Sequence, residues 1–239
     1  MGVAVLITTA NNPPVGIPFL KMTNVAMRII TAKASVFFWA AHGAKKIVIA
    51  DATGGVLLSN EDILLLSQIG VEVEQISYHQ NHDLVKLKGK GFGEGELLSF
   101  ALENSKMLKN ESNFFKCTGK IFCRNFDKIL QLIESNSINN LYWRHLGEGD
   151  GLQQWVDLRF FYTEMNFCKE VLIPAYMLAD DHKAAAEYFA YISLTKNLLS
   201  AKSLRPHLSG FAGGTGKPYF DSSLGFLDFN FPCFVSKSI

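Results

Sequence analysis

The chain has 239 residues, 48% of them hydrophobic and 19% charged, with a formal net charge of +1. That length and apolar content suit one large core, burying roughly 70–75% of the unfolded surface without help from disulfides. The near-zero charge excludes broad electrostatic binding of nucleic acid, which needs a basic face.

Taken in chain order, Val3 to Ile7 is an apolar, β-branched run stopped by Thr8-Thr-Ala-Asn-Asn-Pro-Pro, the signature of a strand buried on both faces. Met22 to His42 keeps apolar residues at helical spacing and closes on Gly43. A second strand, Lys45 to Asp51, ends on an aspartate and a glycine turn. A helix over Asn60–Gln68 and a strand over Val71–Tyr78 follow. Alternation of strand and helix is the rhythm of a right-handed, mostly parallel α/β sheet. His79–Gly93 reads as a polar, glycine-rich loop leading into a helix from Glu94 to Lys109, with Leu97, Leu98, Ala101, Leu102 and Leu108 as its buried stripe. A strand region Phe114–Cys123 is broken near Thr118-Gly119. Beyond it, Phe126–Ile133 predicts a helix, Asn140–Trp143 a strand, Gly147–Gly151 a loop and Val156–Tyr162 a strand. Asn166–Leu178, disturbed at Pro174, and Asp181–Leu199 predict helices, so the C-terminal part is expected to be helical before a glycine- and aromatic-rich end.

The four cysteines, Cys117, Cys123, Cys168 and Cys233, form no Cys-x-x-Cys pair and no Cys/His ligand spacing, and read as reduced core residues. No charged leader and cleavage site accompany Val3–Thr9. The longest strongly apolar stretch, Ala34 to Ala44, is far short of the ~20 residues of a membrane span. The expectation is a cytoplasmic protein, at most peripheral to a membrane. The aromatic tail Phe226–Phe234 offers a bilayer contact or, more ordinarily, packs back on the core.

Several groups are candidates for chemistry. The densest glycine cluster, at positions 89, 91, 93 and 95, carries Lys86, Lys88 and Lys90 and runs into a helix start, where backbone N–H groups can meet an anion. Its spacing is neither a Walker A nor a dinucleotide fingerprint, and a surface loop with Glu94 and Glu96 complementing the helix dipole explains it at least as well. Asp51 sits at the carboxyl end of the second strand, the edge where open α/β sheets bind ligands, although an ordinary turn accounts for it equally. Lys116 and Lys120 flank the break at Thr118-Gly119. A cation there needs an anion such as a diphosphate, or the blander partner, a nearby carboxylate. Asp157 and Arg159 share one face of their strand and can hold a sugar hydroxyl, orient a base or pair a phosphate, or simply form structural ion pairs with other charged residues. In Asp180-Asp181-His182 one aspartate reads as the N-cap of the following helix. Glu187, inside that helix, is a candidate general base if it faces a cleft. No His-Glu-x-x-His, Gly-x-Ser-x-Gly or Cys/His nucleophile arrangement occurs, which leaves zinc enzymes and hydrolases without support.

Taken together, Ile7-Thr-Thr-Ala-Asn-Asn-Pro-Pro, Lys46-Ile-Val-Ile-Ala-Asp-Ala, Gly89-Lys-Gly-Phe-Gly-Glu-Gly-Glu, Phe115-Lys-Cys-Thr-Gly-Lys, Val156-Asp-Leu-Arg-Phe-Phe and Ser209-Gly-Phe-Ala-Gly-Gly-Thr-Gly-Lys resemble a family of bacterial glycosyltransferases that build capsule, O-antigen and lipopolysaccharide. The resemblance implies a GT-A-like, Rossmann-type sheet in a single domain over 1–239, with 1–125 as the nucleotide-sugar half and 126–239 as the acceptor half. It implies a nucleotide-sugar donor, a glycan or lipid-linked glycan acceptor, and no nucleic acid. Thr8, Thr9, Asn11, Asp51, Lys90, Gly91, Gly93, Glu94, Lys116, Thr118, Gly119 and Lys120 fall on the donor side, with Asp157, Arg159 and Glu187 at the reacting centre. Where many such folds carry Asp-x-Asp for a divalent metal, this chain has Thr118-Gly119-Lys120, so no cofactor is expected, a divalent metal stays open but without that motif's support, and Lys120 would offset the leaving diphosphate. Two departures stand out: lysine where the family pattern has arginine, and Ala186-Glu-Tyr where it has Leu-Glu-His. A non-catalytic nucleotide- or glycan-binding protein and another Rossmann-like transferase stay open as alternatives.

Overall fold

In the computed structural model, which describes residues 2–18, 20–145, 155–211, 216–220 and 231–237, the first apolar run forms β1 (Ala4–Thr9), buried along its whole length. Asn24 caps α1 (Val25–Ala41) by accepting from the Met27 N–H, which is why the helix starts there and not at Met22. β2 (Lys46–Asp51) follows, then α2 (Asn60–Gln68), whose start is fixed by a reciprocal capping box between Ser59 and Asp62. β3 (Glu72–Ser77) completes the first units.

The predicted loop 79–93 is a correction. It holds α3 (His82–Lys88), and Lys90 already begins α4 (Lys90–Asn104), so Gly91, Gly93 and Gly95 are helical. The reason is packing. A Cβ built on Gly95 would lie 2.4 Å from the Tyr176 Cβ, and one on Gly91 2.9 Å from the Ala186 Cβ. Glycine costs a helix about 1 kcal/mol per residue against alanine, and tertiary approach overrides that preference here.

β4 (Asn113–Thr118) and β5 (Ile121–Cys123) are separated by the predicted break, and α5 (Phe126–Ser135), β6 (Ile138–His145) and β7 (Trp155–Glu164) follow. The helical stretch 165–177 comprises α6 (Met165–Phe167), a π segment (Cys168–Leu172) and α7 (Ile173–Met177). The disturbance expected at Pro174 is thus a π segment just before it, because proline lacks the N–H that would continue the ladder. α8 (Ala186–Asn197) starts later than expected. The end of the chain then returns to strands: β8 (Leu199–Ser203), β9 (Leu208–Phe211), β10 (Pro218–Phe220) and β11 (Phe231–Lys237). The expected loop Gly147–Gly151, Gly213 and Gly214 of the late glycine cluster, and the start of the aromatic tail lie outside the described residues.

The large sheet has the order β3-β2-β1-β4-β7-β6-β11-β8. Its first four strands are parallel, as the α/β class requires, and from β4 onward each neighbour is antiparallel. β5, β9 and β10 make a small antiparallel sheet beside it. Strand alternation divides the core in two. Val5, Ile7, Ile47, Ile49, Phe115 and Cys117 face α1, α2 and α5, while Ala4, Leu6, Val48, Ala50 and Phe114 face α4, α7 and α8. No helix among the described residues is long and apolar enough to cross a membrane.

Candidate functional site

The carboxyl ends of β1, β2 and β4 open on a cleft of about 720 Å³, walled by the loop after β1, α4 and the start of α8. Of the sequence candidates, Thr8, Thr9, Lys90, Gly91, Gly93, Glu94, Thr118, Lys120, Arg159 and Glu187 line it. Asn11, Asp51, Lys116, Gly119 and Asp157 stand behind that lining. Asp51 is occupied by its own surroundings. Its Oδ2 accepts from the Thr9 hydroxyl at 2.8 Å and the Asn11 N–H at 2.9 Å, and its Oδ1 from the N–H groups of Thr53 and Gly55 and the Thr53 hydroxyl. It ties the loop after β1 to the loop after β2, and so shapes the cleft without facing it.

Lys116 is fully buried and corrects the expectation of a diphosphate contact. Its ammonium pairs with Glu94 and donates to the Leu158 carbonyl at 2.7 Å and to the Thr118 hydroxyl at 3.1 Å. The hydroxyls of Thr8 and Thr118 also reach the same Glu94 oxygen, Oε1, at 3.0 and 3.2 Å. One carboxylate oxygen therefore takes every donor, and Glu94 Oε2 has no hydrogen bond among the described residues.

Lys120 is different. Gly119 donates its N–H to the Thr8 carbonyl at 2.7 Å, and a Cβ there would come within 2.5 Å of the Thr9 side chain, so only glycine lets β4 turn this tightly. The turn places Lys120 at φ 78°, its side chain 5% exposed on the cleft wall. No carboxylate among the described residues lies within ion-pair distance of it. Burial, and then the charge of Arg28, hold its ammonium down to about 7, with Glu94 and Asp51 pulling the other way. Arg28, on α1, also lines the cleft. It donates to the carbonyls of Ala10 at 2.6 Å and Met22 at 2.8 Å, and burial lowers its guanidinium while Asp51 partly restores it. Two buried cations thus repel each other beside the cleft.

The acidic side of the cleft is built from α4 and α8. Burial pushes the Glu187 carboxyl up, reinforced by Glu94, Asp157 and Asp181, against a downward pull from its own backbone N–H. Asp157 grips Arg159 through both oxygens, at 2.8 and 2.6 Å, so the two pair with each other, a partnership the sequence reading did not name. Asp181 does not cap the helix that follows it. Its Oδ2 accepts from the Lys90 N–H at 2.8 Å and caps α4, whose preceding residue is Gly89. Asp180 pairs with Lys183. Among the described residues no three His, Cys, Asp or Glu side chains gather as metal ligands.

Sequence reasoning missed Arg28, Tyr176 and Trp155, all on the cleft wall. Arg28 is, with Lys33, one of two charged residues in a long apolar helix, and a charge so placed was its available signal. Tyr176 and Trp155 carried none.

No protein-family model and no curated protein matches the sequence. Several solved structures align with it. A nucleoside-diphosphate-sugar pyrophosphorylase from Vibrio cholerae RC9 does so at 9% identity over 80% of this chain and 87% of its own, with a TM-score of 0.43. The glycosyltransferase GlyE of Streptococcus pneumoniae TIGR4 aligns at 12% identity over 82% of this chain, TM-score 0.43; this chain spans 44% of it. S. aureus TarS 1–349, in complex with UDP, aligns at 11% identity over 81% of this chain and 55% of its own, TM-score 0.40. These are likenesses of chain path, and the functional reading below rests on the geometry of the cleft.

Proposed function

We propose that the chain is a nucleotide-sugar-dependent glycosyltransferase. The observation that carries this reading is the pair Lys120 and Arg28, buried beside the strand ends with no carboxylate among the described residues in ion-pair distance of Lys120. Such a pair needs a polyanion, and a diphosphate offers charge on both sides of its bridge. Thr8, Thr9, Thr118 and the loop after β1 would border the nucleoside diphosphate. Gly91 and Gly93, though helical, bring α4 close to the same wall. In an inverting step the acceptor hydroxyl oxygen bonds to the anomeric carbon as the bond from that carbon to the diphosphate breaks. The electron pair leaves on the diphosphate, facing Lys120 and Arg28, and the hydroxyl proton passes to Glu187. Asp157 is committed to Arg159, which leaves Glu187 as the base on this wall. An acceptor belonging to a surface glycan, lipid-linked or not, follows from the resemblance of the sequence blocks alone.

Calorimetry with UDP, GDP, dTDP and CMP and their common sugar conjugates tests the reading; binding of none of them, with S-adenosylmethionine bound instead, refutes it. Lys120→Met should weaken the bound nucleotide about 10- to 100-fold, the scale of one charge-assisted contact. Glu187→Gln should lower turnover about 10²- to 10⁴-fold with donor affinity kept. Binding without any transfer by the unaltered chain would favour a non-catalytic binding protein. A fixed ammonium at the leaving group also predicts activity that survives EDTA.

A further inference from the structure

The cleft holds polar groups that the diphosphate site does not use. Tyr176 lies on its wall, 1% exposed, and its hydroxyl has no hydrogen-bond partner among the described residues. The Trp155 indole N–H, on the same wall, is likewise buried without a partner among them. Glu94 adds an acceptor, because among the described residues nothing donates to its Oε2 while Oε1 takes Thr8, Lys116 and Thr118. Tyr176 and Glu94 are brought together by sequence: Gly95, next to Glu94, has no side chain, and Tyr176 seats against α4 at that position. A buried hydroxyl left unpaired is costly, so groups of this kind are kept where a ligand completes them.

We infer that Tyr176, Trp155 and Glu94 form the subsite that reads hydroxyls of the transferred sugar, and that this sugar is neutral or amino-bearing, not a uronic or other acidic sugar. The inference rests on the nucleotide-sugar reading above. One phenol, one N–H donor and one carboxylate oxygen match vicinal hydroxyls, which both donate and accept. Charge sets the class. Glu94, Asp157 and Asp181 are each close enough to act on Glu187 electrostatically. Lys116 faces Glu94, Arg159 faces Asp157, and Lys90 lends Asp181 its backbone N–H. Glu187 has no cation within ion-pair distance among the described residues, and a second carboxylate brought beside it would be repelled.

The test uses the whole chain and the nucleotide found in the panel above. Affinity is measured for the free nucleotide, for its neutral or amino sugar conjugates, and for an acidic conjugate such as UDP-glucuronate or a CMP-linked acidic sugar. Tyr176→Phe removes only the hydroxyl. It should leave free-nucleotide affinity unchanged, reduce the extra affinity contributed by the sugar about tenfold, and leave Tm equal or higher. A fall in Tm would show that the hydroxyl has a structural partner, and would overturn the inference. So would an unchanged sugar increment, or tightest binding of an acidic conjugate. If no nucleotide binds at all, the glycosyltransferase reading itself fails, and the subsite with it.

Discussion

Lys120 shows what a buried charge does when no carboxylate among the described residues pairs with it. Its ammonium is held down to about 7, whereas in the unfolded chain it returns to about 10.4. Between those values the folded chain binds fewer protons than the unfolded one, so stability attributable to this group rises with pH across the window. Below 7 the cost of burial is constant and complete. Anion binding runs the opposite way, because only the protonated form attracts a diphosphate. Nucleotide affinity should therefore be flat below pH 7 and fall towards about tenfold per unit above it. Calorimetry in buffers of different ionisation enthalpy should record proton uptake on binding near pH 7.5. Lys120→Met should abolish both the slope and the uptake, and a slope that persists in that variant would place the titrating group elsewhere. Sequence placed Lys120 correctly at a strand break, since a glycine turn after an apolar run is a local signal. It could not separate Lys120 from Lys116, four residues earlier, because the difference lies in Glu94, which pairs with one and not the other.

At the scale of elements, apolar spacing made α1 and α2 legible, although the caps that fix their starts went unread. Those caps, Asn24 and Ser59 with Asp62, lie within a few residues of the helix starts they fix. The body of α4 is announced by its apolar stripe of Leu97, Leu98, Ala101 and Leu102, but its start is not: Asp181, the capping side chain, lies far along the chain, and the glycines imitate a phosphate loop. Their role is to let Tyr176 and Ala186 approach, a fact about helices brought together only by folding. Gly95→Ala makes the difference measurable. On an exposed helix this change would stabilise by about 1 kcal/mol. Here the added Cβ falls 2.4 Å from the Tyr176 Cβ, and overpacking of that kind costs about 1–3 kcal/mol. A lowered urea midpoint with an unchanged m-value is the expected result. A raised midpoint would mean that α4 can move away from α7.

For the whole molecule, the parallel half of the sheet was readable because β1, β2 and β3 are each followed by a helix and pair with their neighbours in sequence, leaving only β4 to return beside β1. The antiparallel half was not, because β11 arrives from the far end of the chain and inserts between β6 and β8. Nothing local distinguishes that placement from a tail on the surface. Phe234 is its anchor. It is 1% exposed, stands opposite Tyr142, and lies 5.6 Å from the Tyr191 ring, with the Arg144 guanidinium 5.5 Å from its own ring. Tyr191 belongs to α8, the helix that also carries Glu187, so the strand supports the wall of the cleft from behind. Phe234→Ala should then cost about 3–5 kcal/mol, the range for emptying a buried aromatic site. Phe234→Leu should cost less, since it keeps most of the volume. If instead the tail lay on the surface, both variants would unfold within about 0.5 kcal/mol of the parent. Chemical denaturation of the pair thus decides whether the end of the chain is part of the core that holds the cleft.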